Sequence, residues 1–136
     1  MESIPKPLPR VTPELAPFFA AAKARQLVVQ RCAGCGLLRF PPRELCSQCW
    51  SRNAEWVPVS GRGEVFSFYW MHQVYHPGFA TEVPYAVVTV ALEEGPHVVT
   101  NVIDCTRETL RIGMPVEVTF TDASDEVTLP KFRPRG

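Results

Sequence analysis

Along most of this chain apolar and polar positions alternate with the period of a strand, and one short stretch keeps the period of a helix. In LAPFFAAAKARQL the apolar residues Leu15, Phe18, Phe19 and Ala22 fall at helical spacing. Thr12, Pro13 and Glu14 stand just ahead as an N-cap, a first-turn proline and a first-turn acid, so the pattern predicts a helix over about 13–25. Pro17 is compatible with that helix because it falls near the start. From Leu27 the period changes. Residues 27–30 predict a brief strand, and Trp56, Val57 and Val59 resume extended structure. The run EVFSFYWMH at 64–72 predicts a long strand with aromatic residues on both faces. Residues 84–92 and 98–103 predict two mainly apolar strands joined by the turn Glu93-Glu94-Gly95-Pro96. Val116, Val118 and Phe120 alternate with Glu117, Thr119 and Thr121 as a half-buried strand, and 127–129 is a last short strand before a tail, PKFRPRG. The Gly61-Arg62-Gly63 segment predicts a turn, and 73–83, with Pro77-Gly78, predicts a loop. Five or so strands, the first long and curved, predict a small closed barrel. Closure removes the exposed edges of short strands; the expected type is an OB-type β-barrel, with an SH3-like barrel as the alternative.

Composition narrows the classes. The 136 residues suffice for one domain or for a small metal module joined to a compact one. Fourteen prolines exclude a helical bundle, and the first 13 residues, proline-rich, predict an extended arm. Lys+Arg and Asp+Glu are each 14, so no net field draws the chain to a phosphate backbone. Eleven of the 14 cations are Arg, suited to bidentate contacts. No run approaches the ~20 apolar residues of a membrane span. MESIPKPLPR lacks the apolar core of a signal peptide, and with free thiols this leads us to expect a cytoplasmic protein.

The chemistry concentrates in CAGCGLLRFPPRELCSQC, where Cys32/Cys35 and Cys46/Cys49 form two Cys-x-x-Cys pairs ten residues apart. Two such knuckles supply four thiolates at about 2.3 Å around one tetrahedral ion, most naturally zinc, with iron also suited to four sulfurs. Gly34 and Gly36 are expected to supply the φ > 0 of tight knuckle turns. Disulfides within each pair make strained rings, and a thioredoxin-type redox motif stands alone, so a closed structural metal site is the reading. All four positions filled by protein leave no vacancy for a substrate. Cys105, unpaired, is expected to be a small buried residue rather than a nucleophile.

The order helix, four-cysteine ribbon, barrel resembles the family of Zn-ribbon/OB-fold proteins that accompany thiolase-superfamily and related acyl-CoA enzymes. The residues that carry the resemblance are PFFAAAKARQL, QRCAGCGLLRFPPRELCSQC, VSGRGEVFSF, PGFATEVPYAVVTVALEEG, LRIGMPVEVTF and LPKFRP, and their order and spacing together are specific. The resemblance covers nearly the whole chain. It implies a mainly β fold of an N-terminal arm and helix (1–26), a rubredoxin-like zinc ribbon (27–58) and an OB-fold barrel with a C-terminal tail (59–136). It also implies a non-catalytic accessory subunit that helps form or cover an acyl-CoA site beside a thiolase, thiolase-like aldolase, acyltransferase or enoyl-CoA hydratase.

Outside the ribbon, the loop Tyr75-His76-Pro77-Gly78-Phe79 is the leading candidate for a partner or acyl-CoA contact, since aromatic residues on a projecting loop need a cover. It either enters a partner's acyl-CoA tunnel or packs over its own barrel mouth. His72 and His76 lack an acid at motif spacing, which argues against catalysis. Lys131, Arg133 and Arg135 in the tail, and Arg39 and Arg43 in the ribbon, are the cations suited to the phosphates of coenzyme A. A nucleic-acid-binding ribbon/OB module is the alternative function. It needs a cationic groove among its aromatics, whereas Phe66, Phe68, Tyr69 and Trp70 share one strand with no Lys or Arg between them.

Overall fold

The computed structural model describes residues 6–135, so the first five residues of the expected arm lie outside it. The helix α1 spans Ala16–Lys23 and buries Phe18, Phe19 and Ala22, the positions its period selects. Its start differs from expectation. The cap position is Leu15 with no side-chain cap, Pro17 sits in the first turn, and Thr12 contributes its carbonyl, which accepts from the amides of Leu15 and Ala16. The C-terminal end closes as a Schellman turn, with Gln26 N–H on the Ala21 carbonyl and Arg25 N–H on that of Ala22. The residue in the left-handed position is Arg25, at φ 62°. It costs about 1–2 kcal/mol against glycine there, and its side chain is put to use. Its guanidinium clasps Asp122 on the barrel through two bonds of 2.9 and 2.8 Å.

A three-stranded sheet follows, in the order β2-β1-β3, from Val28–Cys32 (β1), Leu38–Arg39 (β2) and Ala54–Pro58 (β3). Val28 and Val29 are both buried, and Phe18 meets Phe40 and Trp56 with ring centroids 5.2 and 6.2 Å apart.

The second sheet comprises Arg62–Met71 (β4), Tyr85–Leu92 (β5), His97–Thr100 (β6), Pro115–Asp122 (β7) and Thr128–Pro134 (β8), in the order β6-β5-β4-β7-β8. A bulge between Val65 and Ser67 lets the long β4 serve both wings of the sheet. The sheet curls until its ends meet. Val102 and Phe132 form a parallel bridge, with Phe132 N–H on the Asn101 carbonyl (2.9 Å) and Ile103 N–H on that of Phe132 (2.8 Å). Strand order and parallel seam are those of an OB-type barrel, as the strand pattern predicts. Val65, Val88, Val90, Val116 and Phe132 fill it, each essentially inaccessible.

The tail is the main departure. PKFRP belongs to β8, paired with β7 from Thr128 to Pro134. Successive N–H groups along a strand point to opposite sides, and that of Phe132 points to the seam. Pro130 and Pro134, two residues either way, therefore lack their N–H on the seam side, and the ladder with β7 loses nothing. Helix, ribbon and barrel share one core cluster that runs from Phe18 and Val29 to Val116 and Phe132. Among the described residues no helix is long and apolar enough to cross a membrane.

Candidate functional site

Four sulfurs converge at the tip of the ribbon. The ligand atoms of Cys32, Cys35, Cys46 and Cys49 all lie within 4.8 Å of one another, with Cys32 and Cys46 buried and Cys35 and Cys49 exposed. The cross-knuckle pairs Cys32–Cys49 and Cys35–Cys46 stand 3.4 and 3.6 Å apart. Tetrahedral ligation with bonds of about 2.3 Å places sulfurs about 3.8 Å apart, whereas a disulfide needs about 2.05 Å. The donor set fits zinc, as the sequence predicts.

The knuckles are built alike. Cys32 N–H bonds the Leu37 carbonyl and Cys46 N–H that of Ser51; Gly36 N–H bonds the Cys32 carbonyl and Trp50 N–H that of Cys46. Backbone amides also aim at sulfur, Gly34 at Cys32 (3.3 Å) and Gln48 at Cys46 (3.4 Å). Such amides favour thiolate. The Cys35 amide, first among the causes, holds Cys32 down at about 6, and the Cys49 amide lowers Cys46. For Cys49 the Ser51 amide pulls the same way, but the neighbouring sulfurs, Cys32 first, push it up to about 12. Four thiols packed this closely resist carrying four charges, which a divalent cation relieves.

Of the two glycines, Gly36 meets the expectation and Gly34 departs from it. Gly36 has φ +80°, but Gly34 is needed for space: a Cβ there would meet the Ser51 Cβ at 3.0 Å and the Cys49 sulfur at 3.2 Å. In the second knuckle the residue matching Gly36 is Trp50, left-handed at φ 66° and 75% exposed. The sequence reading passed over it, although a Cys-Trp step where the first knuckle has Cys-Gly is a visible signal.

The cations suited to phosphate are placed variously. Arg39 is buried; its Nε donates to Gln30 Oε1 and its Nη2 to the Arg43 carbonyl, each at 2.9 Å, so it braces the ribbon, while its buried Nη1 has no partner among the described residues. The Arg43 side chain is exposed. Arg133 pairs with Glu117 at 3.1 Å and Arg135 with Glu93 at 3.6 Å on the barrel surface. Lys131 has no ion-pair partner among the described residues. No single locus gathers these groups.

The loop divides. Tyr75 is 75% exposed, whereas His76 turns inward and its Nδ1 accepts from the Gly78 amide at 3.0 Å, capping a one-turn 3-10 helix at Pro77–Phe79. Phe79 packs on Tyr85 at 5.8 Å, beneath the Lys6 ammonium. His72 faces Arg107, a cation, and Arg107 covers the ring of Trp70. The Cys105 thiol donates to the Val102 carbonyl, and burial first, then Asp104, raises its pKa, which suits an inert residue.

A surface that sequence alone left unassigned lies on the outer side of β4, β5 and β6. Tyr69 stands beside Val87, Thr89 stands between Ser67 and Val99, and Ala91 stands beside His97, whose ring packs on Phe66 at 4.6 Å. Phe66, Tyr69 and Val99 are 57, 55 and 69% exposed. The segments 65–71, 85–92 and 97–100 carry no Asp, Glu, Lys or Arg, and the face ends in a charge at Glu64 of β4, which pairs with Ala91.

The ChsH2 rubredoxin-like zinc ribbon domain matches residues 19–55, and the ChsH2 C-terminal OB-fold domain matches residues 56–121. A probable enoyl-CoA hydratase alpha subunit of Thermomonospora curvata is 43% identical over 95% of this chain, which spans 40% of the length of that relative. A DUF35 domain-containing scaffold protein of Methanocaldococcus jannaschii is 36% identical over 69% of this chain and 67% of its own length. A solved chain described as an Ltp2-ChsH2(DUF35) aldolase is 42% identical and superposes with a TM-score of 0.83, covering 93% of this chain and 98% of that one.

Proposed function

The chain belongs to the DUF35 family of ChsH2-type zinc-ribbon and OB-fold proteins, and from that membership we propose that it is a non-catalytic accessory subunit of an acyl-CoA enzyme of thiolase, aldolase or hydratase type. The observation that carries the proposal is the exposed aromatic and aliphatic face of β4, β5 and β6, with charge at its edge in Glu64. An aromatic and aliphatic sheet face on a monomer costs free energy unless a partner covers it, and interface cores are depleted of charge in this way. Relatives described as a subunit, a scaffold and an aldolase assembly support a protein partner over a nucleic acid. The same aromatics without interleaved cations suit stacking against protein and not against a phosphate backbone.

The metal centre supports the accessory role. Its four ligands come from the chain itself, so zinc acts on the fold and the reacting groups belong to the partner. Tyr75, on the loop that leaves β4, is proposed as a further contact, and the exposed Arg43 and the half-buried Lys131 as cations for coenzyme A.

The test is co-expression with the acyl-CoA enzyme encoded beside this chain, followed by size exclusion and an activity assay. Tyr69→Lys/Val99→Asp changes two exposed positions and should leave zinc content and melting temperature intact. It should weaken the complex by about thirtyfold or more, the size of one interface hot spot. An unchanged complex and unchanged turnover would remove this face from the interface. Acyl transfer or cleavage by the isolated chain would remove the accessory reading itself.

A further inference from the structure

We propose that the ribbon is a site of reversible oxidation by hydroperoxides, in which Cys35 and Cys49 are attacked first and Cys46 and Cys32 close onto them. This chemistry is independent of the accessory-subunit reading. Accessibility divides each Cys-x-x-Cys pair in the same way. Cys32 and Cys46 are each 1% exposed, whereas Cys35 and Cys49 are open to solvent. The turns around them give no cover. Residues 33–36 and 47–50 are all exposed, and a Cβ added at Gly36 would meet nothing within 4 Å. Each exposed cysteine lies across from a buried one of the other knuckle, Cys49 from Cys32 at 3.4 Å and Cys35 from Cys46 at 3.6 Å. An accessible sulfur with a sheltered sulfur in contact is the arrangement of a redox-sensing pair.

The step balances with a hydroperoxide as the oxidant. The thiolate of Cys35 or Cys49 attacks the terminal peroxide oxygen. An S–O bond forms, the O–O bond breaks, and alkoxide (hydroxide from hydrogen peroxide) leaves and takes a proton from water. The sheltered thiolate then attacks the sulfenic sulfur; S–S forms, S–O breaks and hydroxide leaves. Each disulfide thus gives up two electrons from sulfur to one hydroperoxide. The sulfurs need close only from 3.4 and 3.6 Å to the about 2.05 Å of a disulfide, and the movement falls on exposed turns. With the second sulfur already in contact, closure precedes the further peroxide that would make irreversible sulfinic acid. A disulfide sulfur carries no thiolate charge, so a ribbon oxidised at both pairs gives up the charges that hold a divalent cation. Cys105 stands outside this chemistry, its thiol buried against the Val102 carbonyl.

The experiment treats the zinc-loaded full chain with millimolar hydrogen peroxide and follows zinc with a chromogenic chelator. Bound zinc should be lost at about two peroxides per ion, and dithiothreitol with added zinc should restore it. Dimedone present during oxidation should mark Cys35 and Cys49 and spare Cys32, Cys46 and Cys105. Trypsin then reads the pairing, because it leaves Cys32 and Cys35 in one peptide, 32–39, and Cys46 and Cys49 in another, 44–52. Closure across the knuckles keeps the two peptides joined under non-reducing conditions, and fragmentation should place the links at Cys32–Cys49 and Cys35–Cys46. The site is overturned by zinc that stays bound for hours, by dimedone on Cys32 or Cys46 ahead of their partners, or by zinc loss that dithiothreitol does not reverse. Two separate peptides, each closed on itself, or links at Cys32–Cys46 and Cys35–Cys49, overturn it as well. Every measurement uses the unaltered chain, so misfolding of a cysteine variant cannot imitate the result.

Discussion

Replacing Phe18 by alanine removes the ring through which the helix grips the ribbon. The side chain is 7% exposed and stands 5.4, 5.2 and 6.2 Å from the rings of Phe19, Phe40 and Trp56. A buried Phe→Ala change costs about 3–5 kcal/mol, the upper part applying where aromatic neighbours cannot close the gap. Unfolding entropy of about 2.1 cal/mol/K per residue gives roughly 0.3 kcal/mol/K for this chain, so the melting temperature should fall by about 10–17 °C. The same helix holds the barrel through the Arg25–Asp122 clasp and through Lys23 Nζ on the Asp125 carbonyl. With one core continuous across helix, ribbon and barrel, two signals should move together. Thermal circular dichroism follows the barrel, and a chromogenic chelator follows zinc release from the ribbon. A shift of under about 3 °C, or a barrel transition that falls while zinc leaves at its original temperature, would refute the reasoning that the helix bolts the two parts into one cooperative unit.

Protein purified without chelator should carry one zinc per chain by elemental analysis, and Cys46→Ser should lose it together with soluble yield. Binding free energy at such sites is folding free energy of about 10 kcal/mol. The helix clasp predicts an acid limb. Arg25 first, then the Thr128 hydroxyl at 2.7 Å, hold Asp122 down from 3.8 to about 2. A carboxylate depressed on folding stabilises the protein above its ordinary pKa and loses that contribution as pH falls from about 4 to about 2. Asp122→Asn should lower the urea midpoint at pH 5 and leave it nearly unchanged at pH 2; parallel pH profiles for the two proteins would show that the clasp contributes nothing.

The elements whose pattern is local were legible in the sequence. Helical spacing of Phe18, Phe19 and Ala22, the doubled Cys-x-x-Cys and the alternation from Val116 to Thr121 each fix an element without reference to the rest of the chain. Long-range facts escaped. Thr12 looks like a side-chain cap, but the first turn uses its carbonyl, and Glu14 falls outside the helix. PKFRP looks like a tail because two prolines argue against a strand, and only the seam shows that their missing N–H groups face away from the ladder. Arg39 has the chemistry of a phosphate ligand, and its burial between Gln30 and the Arg43 carbonyl depends on a register that composition does not carry. Aromatic residues on both faces of β4 were visible, yet which face stays exposed is decided by the curl of the sheet.

Two residues other than glycine beside the helix and ribbon turns hold the left-handed conformation at comparable cost, and they differ in what they do with it. Arg25 returns the cost through Asp122 within the chain. Trp50 holds it with its ring turned to solvent, on a backbone pinned one residue from a metal ligand. That conformation closes the second knuckle on the Cys46 carbonyl, as Gly36 closes the first on Cys32, and leaves the ring outside the core. What it secures is presentation: with the peptide frame immobilised, only two side-chain torsions remain to be frozen when the ring meets another surface. A large aromatic with so little freedom to lose would lengthen the lifetime of any complex that buried it more than it would hasten the encounter.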